Sequence, residues 1–196
     1  MTDVIDRLAG IDSGTSLDVL RRSRPVRRDE IQAGYDALFE PANAGEIPLV
    51  ERFAVAAFVA DLQDHGGSTS SHYLAELVDE RLRERIRSLA VGARQRGPWG
   101  EYREPGLQDE NEPGEWFVVP DDDRRQLGER LSAVLEHAHF VVLHPRDARP
   151  EVLSRLTAAG WGRRSVVTWS QLIAYVSFQV RVVEGLRVLR AEGEGA

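Results

Sequence analysis

The chain has 196 residues, a net charge of −7 and no cysteine, and all 25 of its basic residues are arginine. With 42% apolar and 29% charged residues, it has the composition of an ordinary globular protein, and it is long enough to bury a core without disulfides. These features exclude thiolate, disulfide and lysine-based chemistry, argue against a nucleic-acid partner, and leave no apolar run long enough to cross a membrane.

Residues 1–47 are predicted to form an N-terminal helical extension. Its start, Met1 to Asp6, is acidic and lacks the basic and apolar regions of a signal peptide, so we predict a cytoplasmic protein. A short helix begins near Thr15 or Ser16, either of which can cap it, and Pro25 ends that helix and opens the next. The inward face of the second helix carries Ile31, Tyr35, Leu38 and Phe39.

Residues 48–96 are predicted to form the first helical half. Pro48 opens an alanine-rich helix, whose small side chains permit close helix packing, and a glycine turn at Gly66 follows it. A fourth helix is expected to begin around Ser68–Ser71 and to run to about Ala93 on apolar residues at helical spacing.

This half is laid out like a thiol redox site without its thiols. Glu51 and Arg52 open the alanine-rich helix, and His72 lies on the helix after the glycine turn. Because a carboxylate beside an imidazole can still perform acid–base chemistry, we predict that Glu51 and His72 converge on a pocket between the two helices. The alternative is that Glu51 complements the helix dipole and that His72 is a structural hydrogen-bonding residue.

Residues 97–115 break the helical pattern with three prolines, four glycines and an acidic excess. They are predicted to form a loop or linker between two helical halves. Trp99, Tyr102 and Trp116 indicate that the ends of this segment pack against the protein. Two interpretations remain open, a lid over a site or a plain surface excursion.

Residues 116–196 are predicted to form the second helical half, with helices over about 121–144, 150–159 and 166–190. The last helix is apolar over most of its circumference, so it should be central in the fold or lie at a subunit interface. Only Trp116–Val119 alternates like a strand, and this run is short. The predicted architecture is therefore all-α, in one compact domain.

The five histidines are candidate metal ligands. His65 and His72 flank the glycine turn, whereas His137, His139 and His144 lie close together in the second half. Neither set has the i, i+4 spacing of a helical zinc site, and His137 and His139 point in different directions on one helix. We therefore predict no metal site and leave open whether the second cluster binds anything.

Two blocks of sequence occur together in this helical chain. The first is Glu51-Arg52, the alanine-rich helix, the glycine turn and His72. The second is Leu156-x-x-Ala-Gly-Trp, followed by the stretch from Gln171 through Gln179 and Arg181 to Gly185-Leu-Arg. Together they resemble the carboxymuconolactone decarboxylase / alkylhydroperoxidase D superfamily, specifically its cysteine-less branch. The resemblance covers roughly residues 48–80 and 127–190, and it implies an alkylhydroperoxidase D-like helical bundle that forms homo-oligomers.

For the peroxidase members, the resemblance implies a glutamate, two cysteines separated by two residues, and a histidine four residues after the second cysteine. Counting back from His72 puts these cysteines at Ser68 and His65. Glu51 matches the acid, at an interval to His72 about two residues longer than in the family. Peroxidase activity is not expected, because neither Ser68 nor His65 can attack or resolve a peroxide bond as a thiolate does.

The decarboxylase side of the family, as the resemblance implies, works without metal or organic cofactor on a small carboxylate or lactone. We accordingly expect Glu51 and His72 to be catalytic, and Arg52, His65 and Ser68 to bind substrate, with Arg52 holding a carboxylate. The alternative is a catalytically silent subunit or scaffold that partners a cysteine-bearing paralogue in an antioxidant setting. A homo-oligomer with a small-molecule ligand, and with no nucleic-acid or membrane partner, is expected.

Overall fold

The computed structural model describes residues 3–194, and within that range the chain is helical, without a β-strand. The α-helices in chain order are α1 Val4–Ala9, α2 Ser16–Arg22, α3 Pro25–Phe39, α4 Leu49–Asp64, α5 Ser68–Ala75, α6 Glu80–Ala93, α7 Asp121–Leu143, α8 Pro150–Ala158 and α9 Arg163–Glu194. Two short 3₁₀ helices, Pro105–Glu110 and Pro145–Asp147, lie in the connections. The prediction of an all-α protein is confirmed for this part of the chain. None of these helices is long and apolar enough to cross a membrane.

Helix α4 is the centre of the fold and packs against α5, α6, α7 and α9. Its side chains are buried from Ala54 to Leu62, and the alanines in this stretch let the neighbouring helices approach closely. Asp61 is the charged residue of the stretch, and its carboxylate pairs with Arg94, 2.7 Å away. This stretch of small residues can occupy the middle of the bundle because its single charge, on Asp61, has a partner.

The helices of the N-terminal extension are held to one another by a buried ion cluster. Helix α1, which the sequence pattern did not predict, packs against α9 and α5. Asp3, its N-cap, and Asp6, in its first turn, pair with Arg21 and Arg28 of the next two helices. Asp3 lies 2.5 Å from Arg21 and 2.6 Å from Arg28. These four side chains therefore fasten α1, α2 and α3 to one another.

The predicted fourth helix is two helices in the structure. Helix α5 ends at Ala75 and α6 begins at Glu80, with Asp79 as its N-cap. The Asp79 carboxylate accepts the backbone N–H of Arg81 at 2.9 Å and that of Leu82 at 3.3 Å. The apolar spacing alone suggested one continuous helix. A new helix begins after Asp79 instead, because the Asp79 side chain accepts hydrogen bonds from backbone amides that would otherwise bond to the preceding turn of a continuous helix.

Helix α9 buries one face and exposes the other. Trp169, Ile173 and Val176 are among the fully buried residues that it contributes to the core. On the opposite side Val167 and Phe178 are exposed. The helix is therefore not enclosed on all sides within this chain, which leaves the interface interpretation of its apolar composition open.

The segment 97–115 is folded onto the end of α7. The backbone N–H of Trp99 donates to the carbonyl of Leu143 at 2.6 Å, and Gly100 pairs with Glu112 in an isolated antiparallel bridge. The Arg146 guanidinium lies over the Tyr102 ring, 4.6 Å from its centroid. This segment thus makes specific contacts with the core along its length, and it forms one wall of a cleft.

Candidate functional site

The predicted catalytic acid, Glu51, lies in the first turn of α4. Its Oε2 atom is buried and has no hydrogen-bond partner among the described residues. Burial raises the pKa of this carboxyl, and the charge of Arg130 on α7 opposes that rise. Glu51 therefore faces α7.

The predicted catalytic histidine, His72, has a different set of neighbours. Its Nε2 atom lies 3.0 Å from the hydroxyl of Tyr35 on α3. Burial lowers the pKa of His72 to about 4, and the positive charge of Arg7 contributes to the shift. The imidazole is therefore neutral at neutral pH, and it faces the N-terminal extension.

The structure does not bring Glu51 and His72 together. Two residues after Glu51, Phe53 packs near Tyr73, with ring centroids 6.4 Å apart. Positions two apart on a helix are separated by about 200°. Glu51 and Phe53 thus project to opposite sides of α4, and it is the Phe53 side that faces α5 and His72. The predicted convergence of the two groups on a pocket between these helices is not formed.

Arg52, which was predicted to bind a substrate carboxylate, is hydrogen-bonded to backbone carbonyl groups. Its guanidinium donates to the carbonyls of Leu38 at 2.7 Å, Ala44 at 2.8 Å and Ile47 at 3.3 Å. Only 5% of the residue is exposed. Arg52 therefore fastens the turn between α3 and α4, and this role accounts for its buried charge.

His65 and Ser68, the other two predicted substrate-binding residues, also have local roles. His65 ends α4 in the left-handed conformation, at φ 51°, and is exposed. Ser68 begins α5, and its hydroxyl accepts a long contact of 3.5 Å from Arg187 on α9. The five predicted site residues are thus distributed around α4 and α5 and do not surround one common space.

A cleft of about 380 Å³ lies away from these five residues, between the connection from α6 to α7 and the start of α8. One wall is formed by residues 100–101 and 113–116, and the other by residues 147–155. Trp116 is 45% exposed on the first wall, and Arg149 and Arg155 line the second. Among the described residues neither arginine forms an ion pair, although the Arg155 guanidinium lies 5.4 Å from the Trp116 ring centroid.

A smaller inner cavity of about 20 Å³ adjoins this cleft. Trp116, Val152 and Arg155 line both spaces, so they form the boundary between them. His137 on α7 lines the inner cavity. The residue is 6% exposed, and neither of its ring nitrogens has a hydrogen-bond partner among the described residues. Burial lowers the pKa of His137 to about 4, so its imidazole is neutral at neutral pH.

The other two histidines of this cluster are bonded to the protein. The Nε2 atom of His139 lies 3.2 Å from the carbonyl of Ala93. His144 lies between the carbonyl of Glu115, 3.1 Å from its Nε2, and Asp147, 3.3 Å from its Nδ1. Within residues 3–194 no group of three histidine or acidic side chains is arranged to hold a metal ion. His137 thus differs from His139 and His144, because neither of its ring nitrogens has a hydrogen-bond partner among the described residues. A buried imidazole in this state is uncommon in folded proteins.

The sequence analysis named His137 but not the cleft that it adjoins. Trp116 and Arg155 are far apart in the sequence, and only the fold brings the loop against α8. The available signal was a short helix after a histidine-rich stretch, with arginines at positions 149 and 155. That signal does not specify which segment covers the helix.

Comparison of the chain with protein-family models, with curated proteins and with solved structures finds no match. The resemblance to the carboxymuconolactone decarboxylase superfamily therefore rests on the two sequence blocks.

Proposed function

We propose that this protein is a carboxymuconolactone decarboxylase-like helical protein that binds a small organic acid or lactone and acts on it by acid–base chemistry without a cofactor. Its bundle is of the alkylhydroperoxidase D-like kind in this proposal. The observation that carries the functional part is His137, a buried neutral imidazole in the small cavity that adjoins the cleft, neither of whose ring nitrogens has a hydrogen-bond partner among the described residues.

The cleft suits a small ligand in size, and its lining carries both signs of charge, with Glu101, Asp147 and Glu151 beside the two arginines. Its volume of about 380 Å³ falls within the range of small-molecule sites, about 300–1,000 Å³. Within residues 3–194 neither Arg149 nor Arg155 pairs with a carboxylate, and an arginine can hold a ligand carboxylate through two parallel hydrogen bonds. Trp116 supplies apolar surface for the rest of the ligand.

Proton transfer is assigned to His137 instead of the Glu51–His72 pair. Burial keeps this imidazole unprotonated at neutral pH, so its ring nitrogens can accept a hydrogen bond or a proton from a bound ligand, and its pKa of about 4 makes it a weak base at pH 7. Glu51 and His72 face different helices and share no hydrogen bond, so in this proposal they serve packing and stability.

Calorimetric titration with 3-phenylpropionate at pH 7 tests the binding step. We expect the Arg155→Gln and Arg149→Gln variants to bind this acid at least about tenfold more weakly, because each loses a charged hydrogen bond to the ligand carboxylate. Arg81→Gln is the matched control, because Arg81 is exposed on α6 and away from the cleft. Equal affinity in all four proteins, or no binding by the unmodified protein, would contradict the proposal.

A second candidate function is a helical subunit or scaffold that associates through α9. Val167, Phe178 and Leu189 are exposed on this helix at intervals of eleven residues, about three turns, so they lie on one face. The partner is a second copy of the chain, or a cysteine-bearing paralogue in an antioxidant setting. Light scattering of the Phe178→Asp variant tests self-association: a shift from oligomer to monomer supports it, and a monomeric unmodified protein contradicts it.

A further inference from the structure

The cleft between the α6–α7 connection and α8 is lined by charges of both signs that do not neutralise one another. Among the residues that the structure describes, Arg149, Arg155, Glu101 and Glu151 line it and take part in no ion pair. Opposite charges that face a common space of about 380 Å³ without pairing are available to a ligand. A ligand with one negative charge complements only the two arginines.

Glu151 and Arg155 illustrate this lack of pairing. They lie four residues apart on α8 with the acid first, which is the favourable spacing and order for an ion pair on a helix. The Arg155 guanidinium lies instead on the side of Trp116, 5.4 Å from the ring centroid. The Trp116 ring is itself stacked on Phe140, with centroids 5.1 Å apart. Arg155 therefore contacts the aromatic ring of the opposite wall, and this leaves the carboxylate of Glu151 to a ligand.

Asp147 supplies a third carboxylate, and the protein holds it in place. Its Oδ1 atom accepts the backbone N–H of Glu101 at 3.1 Å, and its Oδ2 atom lies 3.3 Å from Nδ1 of His144. The side chain is 16% exposed and lines the cleft. An ionised carboxylate has about four acceptor positions, so about two remain for a positively charged donor from a ligand.

We propose that the ligand of the cleft carries an ammonium group as well as a carboxylate, and that it is a free α-amino acid with an aromatic side chain. This inference rests on the proposed function, whose ligand occupies the same cleft. The ligand carboxylate pairs with Arg149 and Arg155. Its ammonium group binds Asp147 and Glu151, and its ring packs on the exposed part of Trp116, which is 45% exposed.

The charge of the lining favours such a ligand over a simple acid or a simple amine. Three carboxylates and two guanidinium groups line the cleft: Glu101, Asp147, Glu151, Arg149 and Arg155. A simple acid adds a negative charge to a lining that already has an excess of carboxylates, and a simple amine leaves both arginines without a partner. An α-amino acid adds no net charge and provides a partner for each sign.

Calorimetric titration with L-phenylalanine tests the inference, because this amino acid is 3-phenylpropionate with an added ammonium group. 2-Phenylethylamine, which has the ammonium group and no carboxylate, is the second comparison. We expect L-phenylalanine to bind at least about tenfold more tightly than either compound at pH 7. An affinity for L-phenylalanine no higher than that for 3-phenylpropionate would overturn the inference and leave the proposed function standing. Failure of both acids to bind would instead overturn the proposed function.

Two variants test the ammonium site separately from the rest of the cleft. Asp147→Asn removes the charge and keeps an oxygen that can accept the Glu101 N–H. Glu151→Gln acts on an exposed side chain with no bond among the described residues, so it leaves the fold intact. We expect each variant to bind L-phenylalanine about tenfold more weakly and 3-phenylpropionate no more weakly than the unmodified protein.

Asp109→Asn is the matched control, because Asp109 is exposed in the same connection and does not line the cleft. A loss confined to L-phenylalanine in either variant supports the inference. Normal affinity for L-phenylalanine in both Asp147→Asn and Glu151→Gln, or an equal loss for the two acids, would overturn it.

Discussion

The hydroxyl of Tyr35 and the Nε2 atom of His72 lie 3.0 Å apart and join α3 to α5. The imidazole also packs against the rings of Tyr35 and Tyr73, at centroid distances of 5.9 and 5.0 Å. Tyr35 belongs to the N-terminal extension and His72 to the first helical half. This pair therefore helps to hold the extension on the core, and it leaves the imidazole without access to the cleft.

We predict that His72→Ala lowers the free energy of unfolding by about 1–3 kcal/mol, since it removes a hydrogen bond of the buried Tyr35 hydroxyl. Tyr35→Phe, which removes one hydrogen bond and keeps the ring, should cost about 1 kcal/mol. Urea denaturation measures both changes. Binding of 3-phenylpropionate should remain as in the unmodified protein. A His72→Ala variant of normal stability that no longer binds 3-phenylpropionate would return His72 to the functional site.

Three buried histidines make stability depend on pH. Burial lowers the pKa values of His72, His137 and His139 to about 4, from an ordinary value of 6.5. Between these values the unfolded chain binds protons that the folded chain does not. The free energy of unfolding should therefore be highest above pH 6.5 and fall toward pH 4, by at most about 1.4 kcal/mol per pH unit for each histidine. The raised pKa of Glu51 acts in the opposite direction, because the folded carboxyl retains its proton to higher pH.

Denaturation series at several pH values between 4 and 7.5 measure this dependence. His137→Gln should reduce the slope of the unfolding free energy against pH by about the contribution of one histidine, because glutamine does not titrate in this range. A stability that is constant from pH 7 to pH 4.5, or a slope that is unchanged in His137→Gln, would contradict the assignment of these buried neutral imidazoles.

The buried ion cluster at the N-terminus predicts a large mutational effect. Asp6 is 2% exposed and accepts from both Arg21 and Arg28. Asp6→Asn leaves these guanidinium groups with less compensating charge, so we expect a loss of about 3–5 kcal/mol. Asp12→Asn is the matched control, because Asp12 is exposed. Equal stability of the two variants, measured by urea denaturation, would show that the cluster contributes little.

Helical periodicity predicted most of the helices, because their apolar residues recur at intervals that only one face can bury, but it did not predict the short helix α1. It placed the Pro25 and Pro48 helix starts and the Thr15 cap, whose hydroxyl accepts the N–H of Asp18 at 3.3 Å. It missed the interruption at Asp79, because a side chain that competes for backbone amides does not change the apolar spacing.

The candidate site was harder to predict than the helices. The order of Glu51 and His72 along the chain suggested a pair, but helix rotation decides whether two groups meet, and it turns Glu51 toward α7. The cleft depends on how the connection from α6 to α7 lies against α8. That contact joins residues distant in sequence, such as Trp116 and Arg155, and neither residue carries a local signal of it.

The position of that segment rests on Gly114, and this gives a sharp test of the cleft. A Cβ atom at Gly114 would lie 2.1 Å from the Trp99 ring, far closer than any side-chain contact allows. Gly114→Ala should therefore displace the loop, lower the free energy of unfolding by about 1–3 kcal/mol and weaken the binding of 3-phenylpropionate. Gly106→Ala is the matched control in the same segment, because nothing lies within 4 Å of its Cβ position. Normal ligand affinity in a destabilised Gly114→Ala variant would mean that the cleft does not depend on this wall, and the ligand would then have to bind elsewhere.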